Sequence, residues 1–357
     1  MRLKKIHLKD FRNLSDCELS LSDGTTVFYG GVGEGKTNIV ESILLLSIGR
    51  SHRTTENGQM ISWGKNEAYV RGEAENSTSK LTAAIKITRN GKRIELNGEQ
   101  NKRSIELIGG IKSVIFHSED ISIVGGGPAL RRRYLDVAIS QASKNYAYNL
   151  RDYYKALKQR NTALNAFPGS NLAEWDDQLS SLGSWITQVR AQAVLEIAEM
   201  AKKIAGSLIG VEGNFNISYS PGGEDTPETF KVRLAKARPV DNVRGITTVG
   251  PHRDDIKIIL DGVDARYFAS SGEKKTIALA LKLAEVEFIQ SMTGEKPIVL
   301  LDDVFSTLDQ KRSRALLSVT GDGSQCIITT TDLNYLIDEI REGVSLYEVS
   351  NGQTRKA

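Results

Sequence analysis

The apolar positions of the chain fall into runs whose period changes several times. Residues 3–8 read as a strand, and Thr25–Tyr29 as a second that runs into glycines and then into an apolar segment, 39–48, at helical spacing. Between 60 and 116 the runs become short, β-rich and alternating (68–74, 81–88 and 94–96), and Asn90-Gly91 supplies the residues of a type I′ hairpin turn. From about 128 to 208 the period is helical, over 130–164 and 172–208, with an interruption at Phe167-Pro168-Gly169-Ser170. Strand patterns return at 216–220 and 256–260. A helix over 274–290 and an apolar run over 298–301 follow, the latter ending in two aspartates. There is no repeat of fixed period and no low-complexity tail. This order predicts an α/β fold, a mixed-sheet head with a small antiparallel subdomain over 1–129 and 240–357, interrupted by a mainly helical lobe over 130–239. Neither helical stretch keeps a/d periodicity over enough heptads for a long coiled coil.

Composition narrows the class. The 357 residues are 39% hydrophobic and 25% charged, the balance of a soluble globular chain with a sizeable core. Lysine plus arginine is 47 against 44 acids, a net charge of +3, which is too even for a coat on a polyanion and restricts any nucleic-acid surface to a local patch. Cys17 and Cys326 exclude a disulfide scaffold, and with His52, His117 and His252 in separate motifs they make no metal set. No apolar core follows the basic first residues and no run approaches the ~18 apolar residues of a membrane span, so a cytoplasmic location is expected.

Gly30-Gly31-Val32-Gly33-Glu34-Gly35-Lys36-Thr37 fits G-x-x-x-x-G-K-[ST], with a strand before it and a helix after it. Glycines let successive backbone N–H groups turn inward around a phosphate, and the helix N-terminus adds partial positive charge. Lys36 is expected to reach the β/γ oxygens and the Thr37 hydroxyl to ligate Mg²⁺. A chance glycine-rich turn is the alternative, against which four specified positions in the right context stand. The run 297–303 is an apolar strand that delivers Asp302 and Asp303 at its C-terminal end, where ligands sit in open α/β sheets. Asp302 is placed to hold Mg²⁺ and Asp303 to orient the attacking water, which makes Asp303 and Lys36 the expected catalytic pair. Lys36 and Asp302 lie 266 positions apart, so the chain between them must hold an inserted domain.

Ser270-Ser271-Gly272-Glu273 opens the helix over 274–290. Alone it is either a plain helix cap or a second anion-binding end. Residues 131–160 hold eight cations (Arg131, Arg132, Arg133, Lys144, Arg151, Lys155, Lys158, Arg160) and two acids, with Tyr146, Tyr148, Tyr153 and Tyr154 between them. Such a run is a solvated helix face or a DNA footprint. Arg50, His52 and Arg53 form a second candidate DNA patch, and Lys4, Lys5, Lys9 and Arg12 a further one. His252-Arg253 after Gly250-Pro251 reads equally as a turn tied to Asp254 or Asp255 and as part of a nucleotide or dimer surface.

The order of phosphate loop, long insertion, Ser-x-Gly helix start, apolar strand with Asp-Asp and then Phe305-Ser306-Thr307-Leu308-Asp309 resembles an ATP-binding-cassette head of the SMC type, and in particular the RecF family of recombination mediators. The resembling strings run nearly end to end. Arg131-Arg132-Arg133-Tyr134-Leu135-Asp136 and Gly250-Pro251-His252-Arg253-Asp254-Asp255 are the most specific, joined by Gln159-Arg160-Asn161, Ser51-His52-Arg53-Thr54 and Phe116-His117-Ser118-Glu119-Asp120. The resemblance implies that Arg12, Asn13 and Asn38 join the loop at the nucleotide, and that Ser270, Ser271, Gly272 and Glu273 contact the γ-phosphate held by a second subunit. It also implies an ATP-dependent homodimer and slow, DNA-stimulated hydrolysis used as a switch. The implied work is recombinational repair of gapped DNA, replication-fork recovery and the SOS response, with RecO and RecR proteins and RecA loading, and without a membrane. Val32 stands where the family has Asn, Ser118 where it has Pro, and Glu273-Lys274-Lys275 where it has Gln-Gln-Arg. An acid beside a γ-phosphate is repulsive unless it points away. The rival readings are the ATPase subunit of a membrane transporter, an SMC-like structural clamp head and a nuclease fused to an ATPase head; only 48 residues follow Asp309, too few for a nuclease domain.

Overall fold

The computed structural model describes residues 1–76, 78–166, 171–206, 215–318, 323–335 and 344–357. The interruption read at 167–170 and the helical positions 207 and 208 lie outside them. In chain order the strands and helices are β1 (Arg2–Phe11), β2 (Leu14–Ser20), β3 (Thr25–Tyr29), α1 (Lys36–Ile48), β4 (Glu67–Glu75), β5 (Lys80–Thr88), β6 (Gly91–Leu96), β7 (Glu99–Lys102) and β8 (Ser113–His117), then α2 (Ile121–Gly125), α3 (Pro128–Ala142), α4 (Lys144–Ala166) and α5 (Ala173–Ile204). They continue as β9 (Phe215–Ser220), α6 (Pro227–Arg244), β10 (Asp255–Leu260), β11 (Val263–Asp264), α7 (Ala265–Phe268), α8 (Ser271–Thr293), β12 (Ile298–Asp302), α9 (Gln310–Ser318), β13 (Cys326–Thr330), β14 (Ser345–Ser350) and β15 (Gln353–Lys356).

The chain divides into two compact units. The first holds Met1–Asp120 and Lys282–Ala357; the second holds Ile121–Gly206 and, past the undescribed residues, the chain up to Leu281. The expected boundaries at 129/130 and 239/240 therefore fall inside the second unit. The reason is pairing: β10 is built onto β9 in register Ile258↔Ile217, and Arg131 at the start of α3 is ion-paired with Asp255 in β10.

The first unit contains two sheets. One has the order β15-β14-β3-β13-β12-β8, with β14, β3, β13, β12 and β8 mutually parallel and β15 antiparallel at one edge. Its central strands β12 and β13 are buried at every position, as a parallel strand covered on both faces requires. The other sheet, β2-β1-β4-β5-β6-β7, is antiparallel, and β4 alternates buried and accessible positions, the mark of a sheet with one wet face. The β5–β6 hairpin turns on Arg89-Asn90, with Gly91 already paired to Thr88, so the expected turn at Asn90-Gly91 is shifted by one residue. Two successive positive φ values, the type I′ requirement, occur instead at Asn97 (50°) and Gly98 (85°), between β6 and β7. Among the described residues no helix is long and apolar enough to cross a membrane.

Candidate nucleotide-binding site

The loop between β3 and α1 needs glycine at defined points. Gly30 has φ 151°, and a Cβ there would lie 2.2 Å from the Val349 carbonyl oxygen. Gly35 has φ 118° and caps α1, with Asn13 Oδ1 2.7 Å from where its Cβ would be. Lys36 is buried and folds back over the loop, its Nζ donating to the carbonyls of Gly30 (2.8 Å) and Gly31 (2.6 Å). Burial pushes its pKa down, opposed by Asp303, Asp302 and Glu34. Glu34 turns away from the loop to the β14–β15 turn, where its carboxylate accepts from the Asn351 N–H and its carbonyl from the Gly352 N–H at 3.1 Å. Val32 at the loop's outer edge is 89% exposed.

β12 brings the two aspartates to this loop. The Thr37 hydroxyl donates to Asp302 Oδ1 at 2.9 Å, and Thr329, at the same level of the neighbouring strand, donates to the same oxygen at 2.7 Å. The Asp303 N–H is held by the Thr329 carbonyl (3.2 Å) and hydroxyl (3.0 Å) with φ 51°, and the Asp303 carboxyl pKa is raised by burial and by Asp302. A hydroxyl and a carboxylate converging as oxygen donors suit a hard cation such as Mg²⁺.

A network not anticipated in full braces the loop from the other side. Arg12, at φ 56°, grips buried Glu41 through Nε (3.0 Å) and Nη2 (2.6 Å). Ser51 donates to the same carboxylate at 2.5 Å, and Arg53 bridges Glu41 (3.3 Å) and Asn38 (2.8 Å). Asn38 donates to Asn13, which donates to the Gly33 carbonyl at 3.1 Å. Arg12 and Asn13 thus act as supports of the loop and its helix, and Glu41 is the residue the sequence reading missed. Its signal was a lone acid inside the apolar run 39–48.

The structure places Ser270 as the cap of α8. The Glu273 N–H lies 3.2 Å from the Ser270 hydroxyl, and the Glu273 carboxylate accepts the Ser270 N–H at 2.7 Å, a reciprocal capping box that lowers the Glu273 pKa. Its charge is therefore turned back onto the helix end, the geometry in which an acid at this position is tolerated.

The basic run separates into two kinds of residue. Arg160 is fully buried, donating to Asp176 (2.7 Å), Asp241 (2.7 Å) and Thr247 (2.9 Å), and Arg131 is buried against Asp255 (2.7 and 3.0 Å) and the Gly126 carbonyl. Both differ from the exposed cations they were grouped with: Arg160 neutralises two interior carboxylates, and Arg131, itself buried, is paired with half-buried Asp255. Tyr146 and Tyr153 are buried as well. Arg132 is half-buried on the Asp254 carbonyl, and Arg151 pairs with Asp152 and lies over the Tyr148 ring. Arg133, Lys144, Lys155 and Lys158 are exposed along α3 and α4, and Arg50 and Arg53 are exposed beyond α1.

Gly250–Asp255 is a structural turn. Buried Arg190 joins Asp136 (2.7 Å) to Asp254 (2.6 Å), so the two most specific strings meet through one guanidinium. His252 Nε2 lies 2.9 Å from the Thr247 carbonyl and its Nδ1 2.8 Å from the Tyr153 hydroxyl, which makes Nε2 the protonated nitrogen of a neutral ring. Burial pushes its pKa from 6.5 to about 4. Its folded value lies below its unfolded one, so the stability it contributes is full above pH 6.5 and lost as the pH falls toward 4. Equilibrium urea unfolding should show a lower midpoint at pH 5 than at pH 7. The loss should be smaller in His252→Gln; an equal slope in both proteins would refute the assignment.

The chain matches the family model described as the RecF/RecN/SMC N terminal domain over residues 2–355. It is 35% identical to the DNA replication and repair protein RecF of Halothermothrix orenii, over 99% of this chain and 98% of that one. It is 36% identical to the RecF protein of Clostridium botulinum over the whole of both. Among solved structures it superposes with a TM-score of 0.90 and 34% identity on the recombination mediator protein RecF bound to ATPrS in the RecFOR pathway, covering 99% of this chain and 98% of that one. The Smc head domain of Pyrococcus furiosus (TM-score 0.56, 16% identity, 99% and 95% covered) shares the fold alone.

Proposed function

The chain belongs to the RecF family of DNA replication and repair proteins, and from that membership we propose that it is an ATP-dependent DNA-binding protein that dimerises on ATP and acts in recombinational repair of gapped DNA with RecO- and RecR-type partners. The observation that carries this reading is the convergence of Lys36, Thr37, Asp302 and Asp303 on one glycine loop. The backbone N–H groups and Lys36 receive the phosphates, an entering phosphate oxygen taking the place of the Gly30 and Gly31 carbonyls as acceptor for the ammonium. Thr37 and Asp302 would hold Mg²⁺, which supplies neutralisation of phosphate charge. Asp303, with its raised pKa and fixed backbone, is placed to orient and accept a proton from water. An aspartate is one methylene shorter than the glutamate of transporter-type cassettes, which favours slow turnover and a long-lived bound state.

In this reading Ser270–Glu273 completes the nucleotide site of a second copy, and the exposed cations Arg133, Lys144, Lys155 and Lys158 contact DNA phosphates. Sedimentation velocity with ATP, Mg²⁺ and a gapped duplex tests the whole scheme. A dimer that forms with ATP and carries DNA is expected, and replacing the four cations with serine should reduce DNA binding and flatten its salt dependence while leaving the dimer. A chain that stays monomeric with ATP, or binds DNA unchanged without the four cations, refutes the corresponding step.

A further inference from the structure

The residues leading into the α8 cap carry an apolar group that the fold of one copy leaves uncovered. Tyr267 and Phe268 are 67% and 71% exposed, and Val263 just before them is 44% exposed. Two bulky aromatics at these exposures three residues from a binding turn are unlike scattered surface leucines, and such groups mark contact sites. They are also held in place. Asp264 caps α7 through the Arg266 N–H (2.9 Å), the Ala269 N–H returns to Ala265 (3.2 Å), and the Arg266 guanidinium lies over the Tyr267 ring at 5.1 Å. The Ser270–Glu273 capping box follows at once, so aromatics and turn form one preorganised edge.

The nucleotide loop shows a matching feature. Val32 is 89% exposed at its outer edge, a β-branched apolar residue where the polar asparagine would be the expected choice for water. Charge is complementary as well: Arg266, Lys274 and Lys275 outnumber Asp264 and Glu273 around the aromatic edge, while the loop side holds Asp302, Asp303 and, when loaded, a triphosphate. We infer that Tyr267 and Phe268 of one copy pack over Val32 on the nucleotide loop of a second copy, forming an apolar seal beside the shared nucleotide. The occupant is a second copy of this chain, and the inference rests on the ATP-dependent homodimer proposed above. The seal excludes water from the side of the loop that a single copy leaves open, and it gives one role to an apolar residue at the loop edge and to two aromatics some 235 positions later in the sequence.

Sedimentation equilibrium with ATP and Mg²⁺ tests it. The variant carrying Tyr267→Ser and Phe268→Ser should raise the dimer Kd at least tenfold, while ATP binding at concentrations where the chain is monomeric stays at the parental level. Phe268→Leu, which keeps an apolar group, should recover part of the loss. Val32→Asn should weaken the parental dimer severalfold and add nothing in the doubly substituted background, because the contact is then already gone. A double-serine dimer within twofold of the parent, or a Val32→Asn effect undiminished in that background, overturns the seal and leaves the homodimer standing. A parental chain that remains monomeric with ATP overturns the homodimer and the seal together.

Discussion

Lys36→Ala should lose ATP almost completely. The Lys36 ammonium is buried beneath the loop and satisfied by two carbonyls, at 2.8 and 2.6 Å, that an incoming phosphate would replace. Burial pushes the ammonium pKa down, and nearby Asp303, Asp302 and Glu34 push the other way. Truncation at alanine leaves Asp302 and Asp303 facing a triphosphate without the lysine ammonium between them. Removing one partner of a desolvated charge pair costs about 2–5 kcal/mol, roughly 30- to 4000-fold in affinity. Titration calorimetry with ATP and Mg²⁺ should therefore show no saturable heat at concentrations that saturate the parent. An affinity within threefold of the parent would remove Lys36 from the site.

Arg160→Leu should unfold the second unit under mild conditions. The side chain is wholly inside the protein, and its two carboxylate partners, Asp241 and Asp176, are buried too. Asp241 keeps Thr248, and Asp176 keeps Arg238 at 3.0 Å, but neither replaces the central guanidinium. Breaking a buried pair from one side costs about 3–5 kcal/mol, whereas removing both charges is far milder. The midpoint in urea should fall steeply for Arg160→Leu and recover in part when Asp241→Leu is added. Lys158→Leu, two positions earlier and exposed, should change it by less than about 0.5 kcal/mol. Equal effects of the two leucines would refute the distinction between interior and surface cations.

That distinction also marks where sequence reasoning reaches its limit. The nucleotide loop, the strand before it and the acids at the end of β12 were legible because each is a contiguous string whose chemistry depends on neighbours along the chain. Thr25–Tyr29 and the strand ending at Asp302 are found where their patterns put them. Arg131 and Arg160 were illegible because an arginine buried against an aspartate 124 or 81 positions away has the same local sequence as one facing water. Glu273 looked repulsive for the opposite reason: its spacing from Ser270 satisfied a capping box, and the family pattern drew attention to the phosphate instead. The unit boundary depended on the partner of β10, which no periodicity reveals.

The bond between Glu34 and Asn351 sets an order of events during synthesis. The two residues are 317 positions apart, and Gly30 packs against the Val349 carbonyl from the same hairpin. At a ribosomal rate of 5–20 residues per second, the glycine loop waits roughly 15–60 s for the strand that braces it. Throughout that interval the glycine loop is without its contacts to Asn351, Gly352 and the Val349 carbonyl. The β14–β15 hairpin therefore belongs to the nucleotide loop structurally although it lies more than 300 positions away along the chain, and a substitution in that hairpin reaches the loop through backbone contacts alone.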